Sequence, residues 1–163
     1  MLEYTERRPA TALILEELST TGAQLLHIWN QSNGHLSPEF IDYARKVLLM
    51  APPATPGDSP DILMIGTESF ARHVFGSKWA QHPTRARKAM PQTYRKLVAS
   101  SYWNAYQTNK PIFDLIGANL SDESYREYCR LILPVHSRAG VSQLVVFTQE
   151  LPNQASRAIS SIN

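Results

Sequence analysis

The 163-residue sequence contains a single cysteine, Cys129, and no long apolar stretch. One cysteine excludes an intramolecular disulfide, and also a zinc site or an iron–sulfur cluster built on cysteines of this chain alone. It suits a reducing compartment. The first nine residues carry acidic side chains where a signal peptide has a basic and then an apolar region. No run approaches the roughly 18 apolar residues of a transmembrane helix. We therefore expect a soluble, cytoplasmic protein that does not associate with a membrane.

Charged residues are also scarce, at 18% of the chain, and the net charge is only +2. A dedicated nucleic-acid-binding protein needs a basic face for its phosphate contacts, so binding to nucleic acid is not expected. The basic stretch Arg85-Ala86-Arg87-Lys88, followed by Arg95-Lys96, could contact an acidic partner or phosphates, but a solvated helix face is the simpler interpretation. The apolar share of 43% is sufficient for one core in one domain.

Apolar periodicity and turn residues predict two helices, two strands, a helical block and three strands, in that order. The first helix occupies residues 21–31, where Leu25, Ile28 and Trp29 share a face. The second begins at Ser37, an N-cap followed by Pro38 at the first helical position. Two apolar runs joined by a loop rich in proline predict a hairpin. The strands are predicted at 47–50, 61–66, 112–117, 125–135 and 141–150.

The helical block between the second and third strands has three predicted parts. Thr67 is placed as the N-cap of a short helix that Gly76 closes. Residues 77–90 are expected to be irregular, and a longer helix is predicted at 92–107, where apolar residues recur at helical spacing. We expect residues 1–19 to form a flexible N-terminal segment, 20–151 the folded domain and 152–163 a polar tail.

Three short segments resemble the PAS domain family. The strand 61–65 runs into Gly66-Thr67 and a short helix that ends in Phe75-Gly76. The helix–turn–strand step 106–113 contains Asn109-Lys110-Pro111, and the strand 128–135 ends in Leu-Ile-Leu-Pro-Val. The last is similar to a strand ending in "LILPL" in a bacterial PAS subgroup found largely in alphaproteobacteria. The resemblance covers roughly residues 20–151. It implies an α+β fold with a five-stranded antiparallel sheet, helices on one face, and here an N-terminal helical extension.

The resemblance implies a ligand pocket between the sheet and the helices, and small-molecule sites are generally concave and mostly apolar. Strand alternation and helix periodicity assign twelve residues to it, although the same residues could simply fill a closed core. The predicted ligand-binding residues are Met64, Phe70, Phe75, Tyr94, Leu97, Val98, Tyr102, Phe113, Leu131, Leu133, Leu144 and Val146.

No cofactor can be named from the sequence. A haem iron would need an axial ligand on or beside the short helices, where His73 and His82 are the candidates. A flavin photosensor of this family would need a cysteine on a short helix, whereas Cys129 is predicted in a strand. A zinc site is not expected, because no pair such as H-x₃-H or C-x₂-C is present.

The sequence contains no motif of a hydrolase, a zinc protease or a P-loop, so we expect a non-enzymatic, stand-alone sensor. It would bind a small ligand or a protein partner and pass a change of shape to a homodimer partner or to a separate signalling protein. The outer face of the sheet or the amphipathic helix 21–31 would carry that signal. The alternative is a small α+β barrel enzyme, an isomerase or cyclase, that uses Asp114 or His136 as its base.

Overall fold

The computed structural model describes residues 2–121 and 124–152. Its helices and strands follow the predicted order, with two additions at the N-terminus. The strands are β1 (Tyr4–Arg8), β2 (Val47–Met50), β3 (Ile62–Ile65), β4 (Ile112–Ser121), β5 (Ser124–His136) and β6 (Ser142–Glu150). The helices are α1 (Ala12–Leu18), α2 (Thr20–Gln31), α3 (Phe70–Phe75), α4 (Ser77–Ala80), α5 (Pro83–Ala89) and α6 (Gln92–Thr108), and Pro38–Lys46 forms a 3₁₀ segment.

The described strands form one antiparallel sheet of six strands in the order β1-β4-β5-β6-β2-β3. The α+β class and the β2–β3 hairpin are therefore confirmed, but the expected count of five strands is wrong. The sixth strand is β1, which pairs with β4 from Tyr4 opposite Gly117 to Arg8 opposite Phe113. The last three residues of β1 are charged and exposed, so the strand leaves little apolar pattern in the sequence.

Both faces of the sheet are covered by helices. Helices α3 to α6 pack on one face, where the core contains Tyr94, Val98, Ile132 and Val146. Helices α1 and α2 and the 3₁₀ segment pack on the other, where Leu15, Leu25 and Phe40 meet residues of the sheet. Because successive residues of a strand point to opposite faces, each central strand contributes to both cores. The predicted N-terminal helical extension is thus the second cover of the sheet.

The expectation of a flexible segment at residues 1–19 is corrected by β1 and α1. Thr11 caps α1 by accepting a hydrogen bond from the Ile14 amide, and Ser19 caps α2 through the Gly22 amide. Leu15 is fully buried, and burial of a leucine side chain contributes roughly 1.5–3 kcal/mol. The helix therefore forms because its apolar side has the sheet to pack against. The predicted tail lies outside the described residues from position 153 onward.

Two local predictions in the helical block and one at Ser37 differ from the structure. Ser69 rather than Thr67 caps α3, because its hydroxyl accepts a hydrogen bond from the Arg72 amide. Residues 77–90, expected to be irregular, contain α4 and α5. Ser37 makes no side-chain capping hydrogen bond. Gly76 does close α3, with φ at +95°, a value that disfavours side chains. The longest helix, α6, has 17 residues, and none of the described helices is long and apolar enough to cross a bilayer.

Candidate functional site

A small cavity lies between helices α3 to α6 and the sheet. Its free volume is about 30 Å³, which is about the share of one molecule in liquid water. Its walls come from the strands, from the β2–β3 loop, from helices α3, α4 and α6 and from Met90, which follows α5, and aromatic rings form much of them. The lining residues are Leu48, Met50, Ser59, Ile62, Phe70, Ala71, Val74, Phe75, Trp79, Met90, Tyr94, Val98, Tyr102, Leu120, Tyr128, Val146 and Thr148.

The twelve residues assigned to a pocket from the sequence divide between the two cores. Six line the cavity, namely Phe70, Phe75, Tyr94, Val98, Tyr102 and Val146. Leu97 and Leu144 pack in the same core without lining the cavity. Met64, Phe113, Leu131 and Leu133 lie in the core on the opposite face, so their placement in the pocket is corrected.

The physical reason for these four corrections is that both faces of the central strands are apolar. In β5, Leu131 and Leu133 face the N-terminal helices, and Ile132 between them faces α6. Alternation gives the period of a strand, but it does not say which face the longer helix covers when the two faces are equally apolar.

The cavity contains few polar groups. The hydroxyls of Tyr94 and Tyr128 hydrogen-bond to each other, and burial raises the pKa of both side chains well above the ordinary value, so both are neutral at physiological pH. Ser59 is 6% exposed, and its hydroxyl oxygen is buried without a hydrogen-bond partner. None of the seventeen lining residues carries a charge. The cavity can therefore bind an uncharged group, to which the unpartnered hydroxyl of Ser59 can hydrogen-bond.

One wall of the cavity is more exposed to solvent than the other. Helix α6 contributes six buried residues, whereas α3 and α4 contain none. The rings of Phe75 and Trp79 lie 4.9 Å apart between their centroids, and the Trp79 indole nitrogen donates a hydrogen bond to the Ala86 carbonyl at 2.9 Å. We call α3 and α4 the lid. Helices of six and four residues have little stability of their own, so the lid is the less stable wall of the cavity.

Beside the cavity lies a buried ion pair that the sequence analysis did not identify. An Arg130 Nη2 atom donates to Asp114 Oδ2 at 2.5 Å, and the two side chains are 1% and 0% exposed. The guanidinium also donates to the Val98 carbonyl and lies 4.5 Å from the centre of the Tyr102 ring. Because Tyr102 also lines the cavity, one aromatic ring separates the cavity from this charge.

The ion pair extends to the N-terminal strand. Arg7 in β1 places its Nε atom 3.8 Å from Asp114 Oδ1 and donates a hydrogen bond to the Ser101 hydroxyl of α6. A sequence signal for the pair does exist, because Asp114 and Arg130 are charged residues that lie directly between apolar neighbours in two predicted strands. The antiparallel register places them directly opposite each other.

The structure does not bring together the residues of the enzyme alternative. Asp114 is held by Arg130 and does not line the cavity. His136 lies at the end of β5, where its ring nitrogens contact Asn109 and Ser142. It is six residues along the strand from Arg130, a separation of about 20 Å.

The candidate cofactor residues lie away from the cavity lining. His73 and His82 are exposed and do not line the cavity. Cys129 packs in the core on the opposite face, and burial raises its pKa to about 11. Within residues 2–121 and 124–152, no three side chains of His, Cys, Asp or Glu come together as a metal-binding group.

The basic stretch is partly neutralised within the chain. Arg87 forms ion pairs with Asp58 and Asp61 at 3.0 and 2.8 Å, and Arg95 forms one with Asp58 at 3.2 Å. These contacts tie the β2–β3 loop to α5 and α6. Arg85, Lys88 and Lys96 remain exposed, and three dispersed charges do not form a phosphate-binding face.

A wider groove of about 690 Å³ runs along the surface between the start of α3 and the end of β6. The charged side chains of the groove include Lys46 and Arg72 but also Glu68 and Glu150, so neither positive nor negative charge predominates there. It also holds none of the unpartnered buried polar atoms of the described residues. The small cavity, in which Ser59 carries such an atom, is therefore the better candidate site.

Comparison with protein-family models, with curated proteins and with solved structures finds no match to this chain.

Proposed function

We propose that the chain is a sensor domain of the PAS type, which binds a small ligand or a protein partner and has no catalytic output of its own. The observation that carries this proposal is the arrangement of residues 47–150. Two strands, four helices and three strands follow one another, and the five strands lie in one antiparallel sheet whose one face is covered by three short helices and one longer helix. This arrangement supports the PAS-type proposal, and β1 and α1 are additions to what the resemblance implies.

The cavity supports a ligand-binding role independently of the fold analogy. A fold by itself does not define a function, whereas a concave apolar site with a few converging polar groups is the usual form of a small-molecule site. Here the cavity is apolar and aromatic, with the hydroxyl of Ser59 unpartnered. Its small volume means that a ligand larger than water binds with a movement of the lid.

A partner is proposed as the receiver of the signal, either a second copy of this chain or a separate signalling protein. The apolar face of α2 cannot serve as that contact in this conformation, because Leu25 and Leu26 are 0% and 4% exposed against the chain's own sheet. The outer side of the same helical layer carries Leu13 and Ile41, which are 70% and 72% exposed. Exposed apolar side chains of this kind suit a protein contact.

The proposal is tested on freshly purified full-length protein. Native mass spectrometry should show a retained small molecule or a dimer, and the absorption spectrum distinguishes a haem or flavin from a colourless ligand. Light scattering gives the oligomeric state at high concentration. A monomer that retains nothing, and whose melting temperature no metabolite in a broad screen raises, would contradict the proposal.

A further inference from the structure

We propose that the ligand of the cavity is an uncharged aromatic molecule with one hydrogen-bonding group, which displaces the lid rings and bonds to the Ser59 hydroxyl. This inference rests on the proposed function only in taking the cavity as the ligand site. It adds the chemical class of the ligand, the group that selects it and the part of the protein that moves.

The absence of charge follows from the lining. Each of the seventeen residues around the cavity is neutral, and an ionised ligand would lose its hydration there without gaining a counter-ion. The nearest buried cation, Arg130, is already committed to Asp114 and is separated from the cavity by the Tyr102 ring. A carboxylate or an ammonium group is therefore excluded from the preferred ligand.

The hydrogen-bonding group follows from Ser59. Its hydroxyl is buried and unpartnered, which is rare and costly for a polar group in a protein interior. Among the other lining residues with hydroxyls, Tyr94 and Tyr128 hydrogen-bond to each other, and of all the lining residues Ser59 is the one whose buried side-chain oxygen has no partner. A ligand with one donor or acceptor would restore the bond that Ser59 lacks, and an otherwise similar hydrocarbon would not.

The aromatic character follows from the lid. The cavity now has room for about one water molecule, so an organic ligand must move side chains. Phe75 and Trp79 are only partly buried, and Phe75 lies between Trp79 and Tyr94, at ring distances of 4.9 and 6.3 Å. A planar ligand that displaces these rings keeps the contacts with Tyr94 and with the aromatic wall behind it, which offsets much of the cost of opening.

The experiment compares four probes: phenol and indole, which are uncharged and have one donor; toluene, which has none; and benzoate, which is charged. Their affinities are measured by calorimetry, and the rise in melting temperature is a second readout. We expect phenol and indole to bind more tightly than toluene, and benzoate to bind at least tenfold more weakly than phenol. In the Ser59→Ala variant, the preference for phenol over toluene should fall about five- to tenfold.

Two further variants test the lid. Trp79→Ala removes a ring that must otherwise be displaced, so indole should bind at least tenfold more tightly to this variant than to the wild type. Phe75→Leu provides the same test with a smaller change of volume, should Trp79→Ala fail to fold. Trp103→Ala and Ser142→Ala are the matched controls, since neither residue lines the cavity, and both should leave the affinities unchanged.

Each result has a defined meaning. Equal binding of benzoate and phenol, or a phenol-to-toluene preference that survives in Ser59→Ala, would overturn the proposed class of ligand. No binding of any probe to the wild type or to the lid variants would overturn the use of this cavity. Either result is separable from failure of the proposed function, since a charged molecule retained in native mass spectrometry would leave the sensor proposal intact while refuting this inference.

Discussion

Replacing Asp114 with leucine removes the anion that faces Arg130 in the interior, and the expected loss of stability can be worked out from the contacts. The pair is 0% and 1% exposed and its atoms are 2.5 Å apart. Breaking a buried pair by removing one partner costs about 3–5 kcal/mol, because an uncompensated charge is left behind. Arg130 keeps the Val98 carbonyl at 3.3 Å and the Tyr102 ring at 4.5 Å. We therefore expect a loss near the lower limit, about 3 kcal/mol.

The opposite variant, Arg130→Met, should cost a similar amount. Of the cations in the described residues, Arg7 then remains near Asp114, at 3.8 Å, and the Arg7 side chain is 47% exposed. The double variant Asp114→Leu/Arg130→Met places two apolar side chains where the charges were, and such replacements are often neutral or stabilising. Its stability should lie within about 1 kcal/mol of the wild type, although the two single losses sum to about 6 kcal/mol.

Urea unfolding followed by circular dichroism measures this cycle. For an assumed slope of about 2 kcal/mol per molar urea, each single variant should lower the midpoint by about 1.5 M. Arg126→Met is the control. Arg126 lies in β5 like Arg130, but it pairs at 2.7 Å with Glu150 at the surface, where the Arg126 and Glu150 side chains are 32% and 48% exposed. Its cost should stay below about 1 kcal/mol. Additive losses in the double variant, or single losses no larger than that of the control, would refute the interpretation of a coupled buried pair.

Three other variants or conditions test separate parts of the fold. Gly66→Ala should lower the free energy of unfolding by more than about 2 kcal/mol, because a Cβ atom at position 66 would lie 2.4 Å from the backbone oxygen of Arg45. A urea midpoint within about 0.3 M of the wild-type value would contradict this. Leu15→Ala should cost about 2–5 kcal/mol, since Leu15 is 0% exposed, whereas a flexible N-terminal segment would show no loss in the same measurement. Burial raises the pKa of Cys129 to about 11 from an ordinary value of 9.0. As pH rises, the thiol of the unfolded chain therefore ionises before the native one, and the contribution of Cys129 to stability is lost between pH 9.0 and about 11. At pH 8, iodoacetamide should label the native thiol about 100-fold or more slowly than the unfolded one. Equal rates would place Cys129 at the surface.

The positions of the five strands β2 to β6 could be predicted because each is a run of apolar residues between turn residues. The long helix could be predicted because Tyr94, Val98 and Tyr102 recur at four-residue spacing on its buried side. What alternation could not give was the face of the sheet on which a residue lies. Leu131 and Ile132 are chemically equivalent neighbours, and only the tertiary packing of α6 against one of them separates the candidate site from the second core.

The N-terminal strand and the ion pair were missed for different reasons. Strand β1 reads Tyr-Thr-Glu-Arg-Arg, and its last three residues are exposed, so it has no apolar pattern that would predict a strand. The pair was missed because β5 contains Arg126 and Glu127 as well as Arg130, and the partner of each charged residue is not defined until the register with β4 is known. Ser59 lies in a loop rich in proline, where a serine is ordinary, and its burial follows from the Asp58–Arg87 and Asp58–Arg95 contacts that hold the loop against α5 and α6.

The tyrosines around the cavity are poor probes of ligand binding, although they are its most conspicuous residues. Tyr102 touches both the cavity and the Arg130 guanidinium, and Tyr94 and Tyr128 share a buried hydrogen bond. Removing any of these groups leaves a polar or charged partner unsatisfied, so a lost affinity could not be separated from a lost fold. Ser59 has no such partner to leave behind, because its hydroxyl is already unpaired. Since replacing Ser59 with alanine removes an unsatisfied group, the variant should be as stable as the wild type or more so, and a change in its preference for phenol over toluene then reports on the ligand alone.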